Sequence, residues 1–256
     1  MGIDSLIISP HLDDAVLSAT SPILAAKAAD VVTVFAGVPD EGTRPGWWDR
    51  VTRAVNPAER VLQRVQEDTA AMAELGARAH HLDEMDGQHR DGPADTQRIA
   101  NQLRSFVESA HDVWIPAGIG GHKDHIAVRD GALVAHETWP CVSGAHRSIH
   151  LYADVPYSIR YPWPGRSEQQ DFLDAEFWLD SEMRRCGISD WDLTPEWSVM
   201  TPDAGARKLR AMRCYQTQWA ALDLGRMLTA DPDSLLRYEL SWTFAGRKGP
   251  RRERPI

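Results

Sequence analysis

Two short clusters of His and Asp carry the chemistry this chain can offer. The first is Ser9-Pro10-His11-Leu12-Asp13-Asp14 and the second is Gly120-Gly121-His122-Lys123-Asp124-His125. His11 and Asp14 are three residues apart, so a turn that opens a helix brings an imidazole nitrogen and a carboxylate oxygen to one point. That donor pair suits a borderline divalent ion such as zinc. Asp13 projects differently from the same turn. The alternative role for Asp13 or Asp14 is to cap the helix that follows. His122 and His125 are at i, i+3, so one can ligate while the other faces a substrate. Gly118, Gly120 and Gly121 allow close backbone approach and unusual dihedrals. HxxH alone is a cheap pattern in a chain with ten His. Together the clusters supply His, Asp and His and leave a position open for water, as a catalytic zinc requires. Asp13 is then a spare carboxylate beside the ion, a candidate general base. Asp124 can orient a histidine through its second nitrogen, or cap the helix after the Gly pair.

These residues need elements that aim them. Ser5–Ser9 and Val31–Ala36 are short apolar runs and read as buried strands, with an Ala-rich helix over Ala15–Ala29 between them. That is a βαβ unit with parallel strands. Asn56-Pro57 opens a long helix that Gly76 ends. A strand is expected at Ala79–Leu82, a helix at Ala94–Ser109, a strand at Val113–Pro116, a helix at Ile126–Glu137 and a strand at Ser148–Val155. A late helix at Ala204–Leu222 and a terminal strand at Leu236–Phe244 complete the pattern. The fold class expected is α/β, a Rossmann-like three-layer sandwich with a mostly parallel sheet. Both clusters then fall at the carboxyl ends of strands, where such sheets bind ligands.

Length and composition agree with this reading. The chain has 256 residues, 43% hydrophobic and 25% charged, which excludes disorder and repeat scaffolds. One domain is expected over residues 1–256: a core with the metal site over 1–155, wall loops with the late helix and strand over 156–246, and a basic tail over 247–256. No apolar run approaches the ~20 residues of a spanning helix. The net charge of −9 conceals a more acidic body, since Arg247, Lys248, Arg251, Arg252 and Arg254 crowd the last ten residues. An acidic body argues against a nucleic-acid groove. Cys141, Cys186 and Cys214 form no CxxC pair and suit a reducing compartment. The start, MGIDSLIIS, has no basic segment before its strand-like run, so no signal peptide and a cytoplasmic location are expected.

Pro10-His11-Leu12-Asp13-Asp14 and His122-Lys123-Asp124-His125 resemble the PHxDD and HxDH motifs of the PIG-L/LmbE-type zinc-dependent N-deacetylases. Weaker echoes lie in Arg64 with Glu67–Gly76, in Leu82–Gly87 and in Lys208–Gln218. The resemblance implies zinc, with iron(II) or cobalt(II) as alternatives, held by His11, Asp14 and His125. It implies Asp13 as base, His122 as acid or charge stabiliser, and Arg64 and Asp86 as substrate contacts. The implied substrate is a small-molecule N-acylated amino sugar, such as an N-acetylglucosamine conjugate, possible within antibiotic or other specialised metabolism, with no nucleic-acid or membrane partner. A thiol-conjugate amidase and a non-catalytic sugar- or nucleotide-binding protein are the competing readings. Two positions depart from the family pattern. Ala15 stands where many members have Glu, and Gly120-Gly121 stand where some place a Tyr proposed to stabilise the oxyanion. Oxyanion stabilisation then falls on the metal and on His122, if protonated, or on another donor. Trp47, Trp48, Trp163 and Trp178 sit in loop-rich regions and can stack on sugar faces or pack the loops.

Overall fold

Leu6, Ile7 and Ile8 are consecutive and each is fully buried. A strand apolar on both faces belongs inside a parallel sheet covered on both sides, and β1 (Ile3–Ser9) lies there. The structure, a computed structural model, describes residues 3–139, 147–160 and 180–247. β1 pairs in parallel with β2 (Ala29–Thr33) on one side and β4 (Ala110–Pro116) on the other. β3 (Arg78–His81) extends the sheet beyond β2, and β5 (Ser148–Tyr152) extends it beyond β4, both parallel. Two antiparallel strands finish it, β7 (Tyr238–Arg247) and the edge strand β6 (Trp191–Val199). The order is β3-β2-β1-β4-β5-β7-β6.

The connecting helices include α1 (Asp14–Ser18), α2 (Thr20–Ala25), α3 (Trp47–Val51), α4 (Pro57–Leu75), α5 (Thr96–Ser109), α6 (Lys123–Thr138) and α7 (Pro202–Cys214), after which short helices over Gln216–Trp219, Leu224–Ala230 and Pro232–Leu236 lead to β7. α5 and α6 pack on each other and on β1 and β4, while α4 packs on α7 and β3. Right-handed crossovers from a first strand in mid-sheet send the two sets of helices to opposite faces, which makes the three layers. Asn56 caps α4 by accepting from Glu59 N at 3.3 Å, and Gly76 ends it with φ of 70°. The expected caps and the helix between them are therefore present.

Several elements differ from the sequence pattern. The helix expected over Ala15–Ala29 breaks at Ala19, where φ is −138°. Pro22 has no N–H to continue the ladder, and a buried ion pair fills the break instead. The Glu239 carboxylate accepts from Thr20 N (3.0 Å) and Ser21 N (2.7 Å). Lys208 Nζ donates to Glu239 Oε1 (2.7 Å) and to Leu17 O (2.8 Å), which ends α1. The late helix stops at Cys214 rather than Leu222, because the Tyr215 hydroxyl turns in to donate to Asp68 Oδ1 at 2.7 Å. β6 was not expected at all. Pro195 and a run of exposed residues mask it, and both are tolerated because it is an edge strand. Arg247 is the last residue of β7 rather than the start of a tail, and residues 248–256 lie outside the described residues. No described helix is long and apolar enough to cross a membrane.

Lys208 and Glu239 are 1% and 5% exposed. Removing one partner of such a pair strands the other charge. Lys208→Met is expected to lower unfolding free energy by about 3–5 kcal/mol in a denaturant titration; an unchanged midpoint would show that the pair does not hold α1, α2 and α7 together.

Candidate active site

Loops leaving the carboxyl ends of β1 to β5 converge over the β1–β4 boundary. This boundary is where the strand order reverses, since the chain steps from β1 to β2 on one side and enters β4 on the other. The turn after β1 is shaped by Ser9, whose hydroxyl donates to His11 O (2.8 Å) and accepts from Ala15 N (3.1 Å). Ser9 thus satisfies the helix end that Asp13 or Asp14 could have capped. Asp13 occupies the N-cap position of α1 but makes no capping hydrogen bond, so its carboxylate stays with the pocket.

Asp14 Oδ2 is the centre of the cluster. It accepts from His11 N at 2.9 Å and lies 3.2 Å from His11 Nδ1 and 3.4 Å from His125 Nε2. Each imidazole has a carboxylate on its far nitrogen. Asp124 Oδ2 sits 3.2 Å from His11 Nε2, and Asp154 Oδ1 sits 2.7 Å from His125 Nδ1. Such carboxylates set the tautomer and ring orientation of ligating histidines. Among the described residues two triads could hold a metal, His11–Asp14–His125 and His11–His122–Asp124, the donor atoms of each lying within 4.8 Å of one another. The donor set fits a divalent ion of the zinc, iron or cobalt kind.

Asp124 does not cap α6. His122 does, its side chain accepting from Asp124 N at 3.3 Å. Asp124 is left to bind His11, Gly87 N (3.1 Å) and Arg90, whose guanidinium also donates to Met85 O at 2.9 Å. Asp154 is held in turn by Ile119 N at 2.7 Å. Asp154 and Arg90 are absent from the sequence reading. Asp154 did leave a signal, an acid at the buried end of the strand Ser148–Val155. Arg90 left none.

The charges are arranged unevenly. Burial, then the adjacent Asp14 charge, pushes Asp13 up to about 6 against the pull of Arg64. Burial also opposes ionisation of Asp14, but His125 and His11 overcome it and hold Asp14 at about 2. Burial, then His11 and His125, pushes His122 down to about 4. With Nδ1 accepting from the backbone, the neutral ring carries its proton on Nε2 and acts as a donor, not as a cation. Arg64 lies 4.0 Å from Asp13 and 3.9 Å from Asp86, near enough for its charge to act but beyond hydrogen-bond distance. Asp13, Arg64, Asp86 and His122 line one cavity with His11, Asp14 and His125.

The Gly-rich turn before His122 is tight for a visible reason. Gly120 has φ of +91°, and a Cβ there would lie 2.4 Å from Cγ of Tyr157. Tyr157, reached from β5, packs against His122 and His125 with ring centroids 6.4 and 5.8 Å away. An aromatic ring therefore borders the second cluster although the sequence before it has only glycine. Trp48 donates from Nε1 to Gln218 Oε1 at 2.7 Å and Trp47 lies at the cavity rim. Trp163 and Trp178 lie outside the described residues.

The family model described as GlcNAc-PI de-N-acetylase, PIG-L, matches residues 6–136. The chain belongs to the PIG-L family. Membership places it among deacetylase hydrolases, and the metal-binding geometry is in keeping with that family. The PIG-L chain is similar to the zinc-inhibited form of teicoplanin deacetylase Orf2, with a TM-score of 0.70 and 23% identity over 96% of this chain and all of that one. It is similar to A40926 pseudoaglycone deacetylase Dbv21, with a TM-score of 0.68 and 26% identity over 98% of this chain and all of that one. It also resembles GalB, a 4-carboxy-2-hydroxymuconate hydratase from Pseudomonas putida KT2440, with a TM-score of 0.54 and 17% identity over 99% of this chain and all of that one. No curated protein sequence matches the chain. Since a hydratase shares the PIG-L chain's fold, the reaction has to be argued from the site.

Asp154 supplies the test of this geometry. Asp154→Asn is expected to weaken binding of a divalent ion about 10–100-fold, read by competition against a chromophoric chelator. Unchanged affinity would mean that Asp154 does not orient a ligating His125.

Proposed function

We propose that this protein is a metal-dependent amidohydrolase that removes an N-acetyl or other N-acyl group from an amino sugar carried on a small-molecule conjugate. The observation that carries the reading is the pairing of two unlike carboxylates. Asp14 is engaged by His11 N, His11 Nδ1 and His125 Nε2, while Asp13, beside it, makes no capping hydrogen bond and faces the same cavity. A binding protein has no use for the second. Two similar structures are deacetylases named for teicoplanin and for the antimicrobial reagent A40926, which supports an antibiotic-type conjugate.

His11, Asp14 and His125 would hold the ion, zinc being the first expectation and iron(II) or cobalt(II) also suiting the donor set. When bound, such an ion supplies Lewis acidity to the amide carbonyl and lowers the pKa of a water. Asp13 takes the proton of the attacking water. His122 donates its Nε2 proton in a hydrogen bond to the carbonyl oxygen as it becomes negative, a term that counts most in a site closed to water. Asp13, now protonated, returns its proton to the departing amine, so the C–N bond breaks and the acid and the free amino sugar leave. A carboxylate beside the ion and in the same cavity can make both transfers. Asp124 and Asp154 orient the ligating rings, and Arg64 and Asp86 bind sugar hydroxyls. Residues 1–155 would carry the chemistry of a single domain, with 156–246 forming the wall. Cys186 and Cys214 as free thiols support a cytoplasmic location.

The test is amine release from N-acetylglucosamine conjugates with metal content measured in parallel. Asp13→Asn is expected to cut turnover by about 10²–10⁴-fold with metal retained. Turnover near wild type with metal bound would overturn the base assignment. No amine from any conjugate with the wild-type protein would overturn the deacetylase reading.

A further inference from the structure

The reactive cavity does not end at His122. Trp47, Asp86, His122 and Tyr157 also line a second, larger groove of about 1050 Å³ that continues from it, against about 80 Å³ for the inner cavity. Pockets that hold drug-sized ligands run to roughly 300–1,000 Å³, so room for the part of a substrate beyond its reacting group lies in the groove and not in the inner cavity. The groove's lining is in part apolar, through Pro93, Ala94, Ile126 and Ala127. Trp47 stands at the junction and is 56% exposed.

An exposed indole is ordinarily mobile, but this one stands on an anchored support. Gln88 Oε1 accepts from Trp48 N (3.0 Å) and Asp49 N (3.1 Å). Asp49 Oδ2 accepts from Gly46 N (2.9 Å) and lies 3.1 Å from Nε2 of His89, both side chains being almost fully buried. Trp48 meets Trp47 nearly edge-on, at 5.2 Å between rings, and is itself tied to Gln218. Buried polar groups from two loops and the segment after α7 thus hold a short helix whose first residue is left bare at the rim.

From this we infer that Trp47 is the platform for the aglycone of the conjugate, and that the preferred substrate carries a planar, apolar aglycone lying over Trp47 into the groove. The inference rests on the deacetylase reading and deepens it, by naming the part of the substrate that lies beyond the reacting sugar. Aromatic rings stack well on planar apolar groups and poorly on a methyl group.

The test compares phenyl and methyl N-acetyl-β-glucosaminides, in turnover and in calorimetric binding to the full chain. Wild type is expected to favour the phenyl glycoside. Trp47→Ala is expected to reduce the phenyl-to-methyl ratio of kcat/KM about three- to tenfold, mainly through KM, and to weaken phenyl glycoside binding by the same factor. Trp47→Phe should restore most of the ratio. A ratio and a binding constant indifferent to Trp47 would overturn the platform. Binding that depends on Trp47 without turnover of either glycoside would uphold the platform and overturn the deacetylase reading instead.

Discussion

The site is organised around one carboxylate oxygen. Asp14 Oδ2 is close to a backbone N–H, to His11 Nδ1 and to His125 Nε2 at once. It stays ionised because the two imidazoles outweigh the cost of its burial. Everything nearby answers to that arrangement. Asp124 and Asp154 occupy the outer nitrogens, so neither ring can turn away without breaking a second contact. Burial, and after it the Asp14 charge, raises the proton affinity of the neighbouring Asp13. Different surroundings thereby give two adjacent aspartates different work.

The sheet makes this possible by its order. His11 and Asp14 follow β1, and His122 and His125 follow β4, its neighbour, while Asp154 follows β5, the next strand along. Residues more than a hundred positions apart in sequence therefore meet with no long reach. The remaining framework holds the β1 turn in place. Lys208 and Glu239 occupy the break between α1 and α2, Tyr215 reaches Asp68 on α4, and Gln218 reaches Trp48. The late Lys, Tyr and Gln thus serve three different joints, and all three tie the closing segment to the loops and helices beside the site.

The two motifs were legible because their chemistry is local. Three or four residues of spacing suffice to place His11 with Asp14 and His122 with His125. The parallel strands were legible for the same reason, as runs buried on both faces. What could not be read was anything settled by a distant partner. Nothing near Ala19 announces that a carboxylate from residue 239 will end one helix and start another. The role of Asp124 as cap or orienting group was decided by His122, which took the cap. Burial and two other imidazoles lower the proton affinity of His122, and the Tyr that borders it comes from the loop after β5. β6 was hidden because an edge strand needs neither apolar alternation nor freedom from proline. The Trp-rich loop was visible as composition, but only its anchoring shows which indole is bare.

Anomalous diffraction from a crystal soaked in a divalent ion, with data on both sides of the metal's absorption edge, locates the ion directly. One strong peak is expected about 2.0–2.2 Å from His11 Nδ1, Asp14 Oδ2 and His125 Nε2, with Asp13 beside it and not bound to it. A peak held instead by His11, His122 and Asp124, the other triad of donors, would contradict this ligand set, as would an ion ligated by Asp13.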